Sequence, residues 1–404
     1  MAMHFGSAGV AGGVRRCSRA FGLAIALLLT SGGCGQTDSS PNAAGAAASG
    51  APETAQRFRW KLITTWPKNL PALGTAVERF ARNVRVMSNG RLDITVYGAG
   101  ELVGAFEVFD AVSQGTAEMG NGASYYWRGK LPVAAVFSTI PFGMTAQEMN
   151  GWMRYGGGME LWRELYAPFG LIPFLAGSSG PQMGGWFNKE IQSVADLKGL
   201  QMRIPGLGGE VLARVGGVPV VLPGSEVFTA LQTGVIDATE WVGPYNDLTL
   251  GLHTAARYYY YPGWHEPGAA IETLVNAKAW ATLPEDLQVM VETAAQASSD
   301  DMLSEFTMRN AQALQTLVEE HGVQLRAFPA DVLAALKVAS AAVVRESAAG
   351  DPLSERILES QREHQKVLEA YQDITERAYM NARSADAGSS SSAAAGTAAG
   401  STPR

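Results

Sequence analysis

The residues in this sequence whose types suit binding chemistry are an arginine, two glutamates, a glutamine and a tyrosine. Arg203 stands in the run LQMRIPG, at the end of an apolar stretch and before the Pro205-Gly206 break. An arginine in a strand buried on both faces is costly unless its charge is matched. Two matches are open: a salt bridge to an internal acid, or a ligand carboxylate held through two parallel hydrogen bonds. Glu240 and Trp241 lie in DATEWVGPYND and Glu266 in GWHEPG, each acid among aromatic and apolar neighbours. Two converging carboxylates need a cation or a shared proton between them. Cys17 and Cys34, the only cysteines, both precede the folded region, and the chain holds five histidines. With thiolates excluded and imidazoles scarce, a hard ion such as Na⁺ or Ca²⁺ is the natural match. The alternative for each glutamate is a helix cap or a bond to backbone amides. Gln182, in SSGPQMGGWF, offers an amide oxygen to a metal, an amide donor to a ligand, or a loop hydrogen bond. Tyr125, Tyr126 and Trp127 read either as core or as a pocket wall, and Tyr126 is the candidate for contact with a ligand. His265 beside Glu266 raises zinc, but no second histidine stands at ligand spacing, so zinc is set aside.

Signatures of catalysis fail. IPGLGGEV lacks the third glycine of a dinucleotide fingerprint, GSSG at 177–180 is not a nucleophile elbow, and no P-loop occurs. The competing functional reading is an exported metal-dependent lyase or hydrolase using Glu240 and Glu266 as acid and base, although no activated nucleophile is visible.

The elements that must position these residues come as a repeat. The pattern predicts a strand over 60–66, a helix over 73–88 and a strand over 91–97, which together form a β-α-β unit of a parallel sheet. A second unit follows, with strands over 200–204 and 218–222 around a helix at 208–215. Both units continue as E-V-F-x-A-(V/L)-x-x-G-x-x-(E/D), from Glu107 and from Glu226. Strands over 119–125 and 238–242 then close them. Two similar α/β lobes suggest a clamshell, with ligand in the cleft beyond the carboxyl ends of the strands. The last third is helical. The stretch 285–321 is compatible with one helix long enough to brace both lobes, at about 1.5 Å per residue. Further helices are expected over 330–348 and 353–379, and the last of them could dock a second subunit.

The 404 residues carry 38 acidic and 31 basic side chains, a net charge of -7, with 47% hydrophobic residues. A mild acidic excess with no basic block argues against nucleic-acid binding. Residues 1–33 read as a signal peptide: Arg15, Arg16 and Arg19, an apolar run FGLAIALLLT, then small residues. That run is too short to span a bilayer, which needs about 20 residues. Cys34 could be lipidated, tethering an exported, periplasmic protein. Residues 34–56 and 384–404 are a low-complexity tether and tail.

Four segments carry a family resemblance: Ser178 to Phe187, Met202 to Gly206, Ala238 to Pro244 and Trp264 to Gly268. They resemble the extracytoplasmic solute-binding proteins of TRAP (tripartite ATP-independent periplasmic) transporters, the DctP family. Within that family they are most similar to the TakP-like group, which binds 2-oxo and 2-hydroxy monocarboxylates. The likeness covers nearly all of 57–383. It implies a two-lobed α/β periplasmic-binding-protein clamshell with a long bridging helix and a helical C-terminal region. Lobe I is then 57–178 with part of 267–330, lobe II 179–266, and the helical region 285–383. It also implies that Arg203 binds the substrate carboxylate and that Gln182 faces substrate and metal. Glu240, the backbone carbonyl of Trp241 and Glu266 would hold the metal ion, and Tyr126 falls where an aromatic donor is supplied. The implied partners are a small carboxylate, membrane subunits of the transporter and, in some members, a second copy as a homodimer.

Overall fold

The computed structural model describes residues 56–385. The expected signal peptide, the Cys34 lipid anchor, nearly all of the tether, and the tail beyond 385 lie outside the described residues.

Among the described residues eleven strands form two sheets. They are β1 (Phe58–Thr64), β2 (Leu92–Tyr97), β3 (Met119–Gly122), β4 (Leu171–Ser178), β5 (Gly185–Phe187) and β6 (Gln201–Arg203). The remainder are β7 (Val218–Val220), β8 (Ala238–Thr239), β9 (Tyr258–Tyr261), β10 (Ala270–Asn276) and β11 (Gln324–Ala327). The first sheet runs β2-β1-β3-β10-β4 and the second β11-β9-β5-β8-β6-β7. The repeat read from sequence is thus visible in the topology. In the first sheet β1 pairs in parallel with β2 and β3; in the second, β6 pairs in parallel with β7 and β8. Leu62 faces Val96 and Met119, as Met202 faces Pro219 and Ala238.

The helices form because their apolar residues recur at helical spacing. In Leu73–Met87 the buried Leu73, Ala76, Val77, Phe80, Ala81 and Val84 follow the 3-and-4 rhythm of one face. The acidic ends of the repeat differ from expectation. The first closing strand stops at Gly122, and Ser124–Trp127 turns as a 3₁₀ helix; the second strand has only two residues. In both places the chain leaves its sheet early, and among the side chains that follow, Tyr125, Tyr126 and Trp241 line one cavity instead of continuing a ladder.

Two loops cross between the sheets, at 179–184 from β4 to β5 and at 262–269 from β9 to β10; a third passage, from β10 to β11, runs through the long helix. The long helix Glu285–Glu319 has 35 residues, hence about 52 Å of length. Its first half buries Leu287, Val291, Ala294 and Ala295 in the core of the first sheet, and Met302, Phe306 and Leu317 lie in the other core cluster. Arg79 binds Asp301 at 2.8 Å, and Asn310 Oδ1 accepts from the Tyr245 amide at 2.9 Å, so one helix touches both halves. Helices Ala330–Glu346, Pro352–Ile374 and Glu376–Ser384 end the described residues; the single helix expected over 353–379 breaks at Thr375. No helix among the described residues is long and apolar enough to cross a membrane.

Candidate functional site

Each candidate side chain stands at the end of a strand or in a crossing between sheets. Arg203 is the last residue of β6; Glu240 and Trp241 directly follow β8, the neighbouring parallel strand. These are carboxyl ends of parallel strands, where the backbone leaves the sheet and side chains can converge. Gln182 lies in one crossing, His265 and Glu266 in the other. The crossings are bonded to each other: Gln182 N donates to Glu266 O at 3.1 Å, and Gly263 N to Gln182 O at 3.1 Å. Gly263 is required there, since a Cβ would meet the Gln182 carbonyl oxygen at 2.2 Å. Tyr126 comes from the 3₁₀ turn after β3, on the opposite wall.

The structure brings all six candidates together. Arg203 is 1% exposed, Glu240 1%, Glu266 3% and Gln182 7%. The Arg203 guanidinium donates through Nη1 to the Glu240 carboxylate, and to the Glu240 carbonyl at 3.0 Å, and through Nε to the Leu222 carbonyl at 3.2 Å. It also lies 4.9 Å from the centre of the Trp241 ring. The internal salt bridge left open by the sequence is therefore present, and it does not exhaust the arginine. Gln182 Nε2 donates to Glu266 Oε2 at 2.8 Å. Among the described residues no hydrogen-bond partner reaches Arg203 Nη2, Glu240 Oε2, Gln182 Oε1 or either ring nitrogen of His265, all of them buried. Buried polar atoms are ordinarily paired. This set holds one donor group of a guanidinium beside oxygens suited to a hard cation, the donor types needed to take an anion and a metal ion together. Glu240, His265 and Glu266 each offer an atom within 4.8 Å of the others'.

Electrostatics follow from the burial. Burial, then the charge of Glu240, holds the Glu266 carboxyl well above the usual carboxylate range. Burial works against the Arg203 charge, but Glu240, with Tyr126, Tyr125 and Glu266, outweighs it and raises its pKa. Burial pushes Tyr126 up to about 12 despite the opposing influence of Arg203. Tyr126 thus keeps its proton at neutral pH and remains a hydrogen-bond donor.

A cavity of about 10 Å³, close to the room one water needs, is lined by Tyr126, Gln182, Arg203 and Trp241. Trp66, Leu73, Tyr125, Ser179, Val242 and Ile271 also line it. Tyr125 is one of the three aromatic residues the sequence offers as a pocket wall; sequence reading missed the other five, of which only Trp66 carried a signal, in being aromatic just beyond a strand end. Trp66 meets Trp241 edge-on at 6.4 Å and Tyr126 at 5.9 Å, joining the two walls. A supporting network was also illegible. Trp66 Nε1 donates to Asn121 Oδ1 at 2.8 Å, while Trp127 Nε1 and Tyr166 OH both donate to the buried Glu272. Asp247 similarly accepts from Trp186 Nε1 at 2.9 Å and Tyr259 OH at 2.6 Å, and its Oδ1 from the amide of Val242 at 3.4 Å. These two acids hold the turns that carry Tyr126 and Trp241.

The family model of the bacterial extracellular solute-binding proteins, family 7 (DctP), matches residues 63–351. A monocarboxylate 2-oxoacid-binding periplasmic protein of Nostoc sp. is 44% identical over 325 residues, 80% of this chain and 88% of that protein. A TRAP periplasmic solute-binding protein of Colwellia psychrerythraea, solved with bound calcium and pyruvate, is 44% identical with a TM-score of 0.79, over 81% of this chain and 100% of that one. Its counterpart from Pseudoalteromonas atlantica T6c, solved with sodium and pyruvate, is 44% identical with a TM-score of 0.78, over 81% and 99%.

Proposed function

The chain belongs to the bacterial extracellular solute-binding proteins of family 7, and from that membership we propose that it captures a small 2-oxo or 2-hydroxy monocarboxylate such as pyruvate for a TRAP transporter. It is a receptor and not an enzyme, because the family and its relatives are transport-binding proteins. The observation that carries the ligand class is Arg203, 1% exposed at a strand end, with Nη2 uncommitted beside two buried glutamates.

The roles follow from the donors. Arg203 Nη2 takes the ligand carboxylate, while Nη1 stays on Glu240. Tyr126, proton in place, donates to the ligand from the opposite wall. Gln182 Oε1, Glu240, the Trp241 carbonyl and Glu266 hold a Ca²⁺ or Na⁺ ion. When bound, that ion supplies a positive charge against which the ligand's carboxylate and 2-oxygen are stabilised. Once a cation displaces the proton that burial favours on Glu266, Arg203, two ionised glutamates and the ligand carboxylate leave two net negative charges, which Ca²⁺ cancels and Na⁺ halves; the balance favours Ca²⁺. No bond is made or broken. The ligand touches both walls, so it favours the closed arrangement of the lobes expected at 57–178 and 179–266, and water leaves the site.

The same reading covers assembly. The closed receptor delivers its ligand to membrane subunits. The protein is exported, with residues 1–33 as the signal and Cys34 as a lipid anchor. The exposed Val367, Tyr371 and Ile374 on the helix Pro352–Ile374 support a homodimer.

Calorimetry with pyruvate, before and after chelation and after Ca²⁺ or Na⁺ is restored, tests the proposal. Binding that is lost on chelation and regained with the ion is expected. Affinity indifferent to both ions would remove the metal from the site, and conversion of the acid to product would restore the enzyme reading.

A further inference from the structure

His265 was set aside as a zinc ligand because no second histidine stands near it in sequence. The fold supplies other partners. His265 is 2% exposed, and neither ring nitrogen has a hydrogen-bond partner among the described residues. Its Nε2 lies 3.4 Å from Glu240 Oε2, the carboxylate oxygen that Arg203 leaves unpaired. Glu266 brings a third ligand atom within 4.8 Å of both. The segment holding the imidazole is constrained: Gly208 comes so close that a Cβ there would meet His265 Cβ at 3.1 Å, and the Trp264 ring lies edge-on at 5.5 Å.

From this arrangement we infer that the site also takes a nitrogen-preferring divalent ion of the zinc class, held by His265 Nε2, Glu240 Oε2 and Glu266. The inference rests on the reading of Glu240 and Glu266 as metal ligands and extends it to a second class of ion. Zinc bonds of about 2.0–2.2 Å to nitrogen and oxygen give a tetrahedral edge of about 3.4 Å, which the His265–Glu240 separation already matches. A larger six-coordinate ion would tolerate the same edge, so distance does not discriminate. The nitrogen does: imidazole is a good ligand for Zn²⁺, whereas Ca²⁺ and Na⁺ are served by oxygen. Three protein ligands would leave a fourth position in the tetrahedron for water or a ligand atom. Zinc-class ions therefore compete with the hard ion for the two glutamates, and the receptor's state depends on which metal is present.

The test uses the metal alone, without pyruvate, so its failure is separable from failure of the receptor reading. Wild-type chain freed of metal is titrated with Zn²⁺ and, separately, with Ca²⁺ by calorimetry. Saturable one-to-one Zn²⁺ binding is expected, and His265→Gln should lower the ratio of Zn²⁺ to Ca²⁺ affinity at least tenfold. The tilted rings of His253 and His321, with centroids 4.3 Å apart, are another place a nitrogen-ligated ion could go, so His253→Gln is the control. Zinc affinity that follows His253 and not His265 overturns the inference, as does a ratio unchanged in His265→Gln. X-ray absorption at the zinc edge of the wild-type protein needs no variant to fold. An imidazole contribution is expected, lost in His265→Gln and kept in His253→Gln; an all-oxygen shell refutes the proposal.

Discussion

Replacing Arg203 with lysine separates the shape of the cation from its charge. In the native site the guanidinium is divided among three tasks: Nη1 holds Glu240, Nε holds the Leu222 carbonyl at 3.2 Å, and Nη2 is free for the ligand. A lysine ammonium keeps the positive charge beside Glu240, so no buried carboxylate is stranded. It concentrates its donors on one nitrogen, which cannot hold Glu240 and Leu222 and also reach the ligand. One hydrogen bond to a charged group is lost, about 1.5–3 kcal/mol. At about 1.4 kcal/mol per factor of ten, the dissociation constant for pyruvate rises roughly 10–150-fold. The assay is calorimetry at saturating Ca²⁺, with a thermal melt beside it. The melt should move little for Arg203→Lys. Arg203→Ala, by contrast, leaves Glu240 buried and uncompensated and should cost about 3–5 kcal/mol of stability as well as binding. A lysine variant that binds pyruvate within threefold of wild type would refute the assignment of Nη2 to the ligand.

Two further predictions concern the opposite wall. Tyr126→Phe removes only a hydroxyl, so it should weaken pyruvate binding by up to about tenfold, from a hydrogen bond worth about 0.5–1.5 kcal/mol, with an unchanged melt; equal affinity would take Tyr126 off the ligand. Glu272 is raised from its ordinary 4.5 to about 8, by burial, against the opposing bonds from Trp127 and Tyr166. The folded state therefore binds the extra proton between these values. Its contribution to stability is full below about 4.5 and lost as pH rises through about 8. Denaturant melts across that range should show wild-type stability declining by a few kcal/mol and Glu272→Gln lacking that slope; parallel curves would show that the carboxyl does not titrate there.

The sequence by itself determined the architecture's parts and the identities of the site's charged groups. Hydrophobic period alone marks Leu73–Met87 as a helix, and the E-V-F repeat anticipates that β2-β1-β3 and β7-β6-β8 share one order. Those are local signals, readable because each depends on residues within one or two turns or strands. Arg203, Glu240 and Glu266 were legible for a similar reason: a charge inside an apolar run must be matched somewhere. What matches it could not be read. That Arg203 pairs with Glu240 while keeping Nη2 free, and that Gln182 and Glu266 meet where two crossings bond, depends on contacts between segments 37 and 84 positions apart. The role of His265 shows the same limit. Its neighbours in sequence offer no second imidazole, and only folding brings Glu240 Oε2 to 3.4 Å. Strand pairing and burial decide which polar atoms face one another, and burial then sets how strongly they must be satisfied. Both are properties of the assembled tertiary structure, and no stretch of the chain carries them alone.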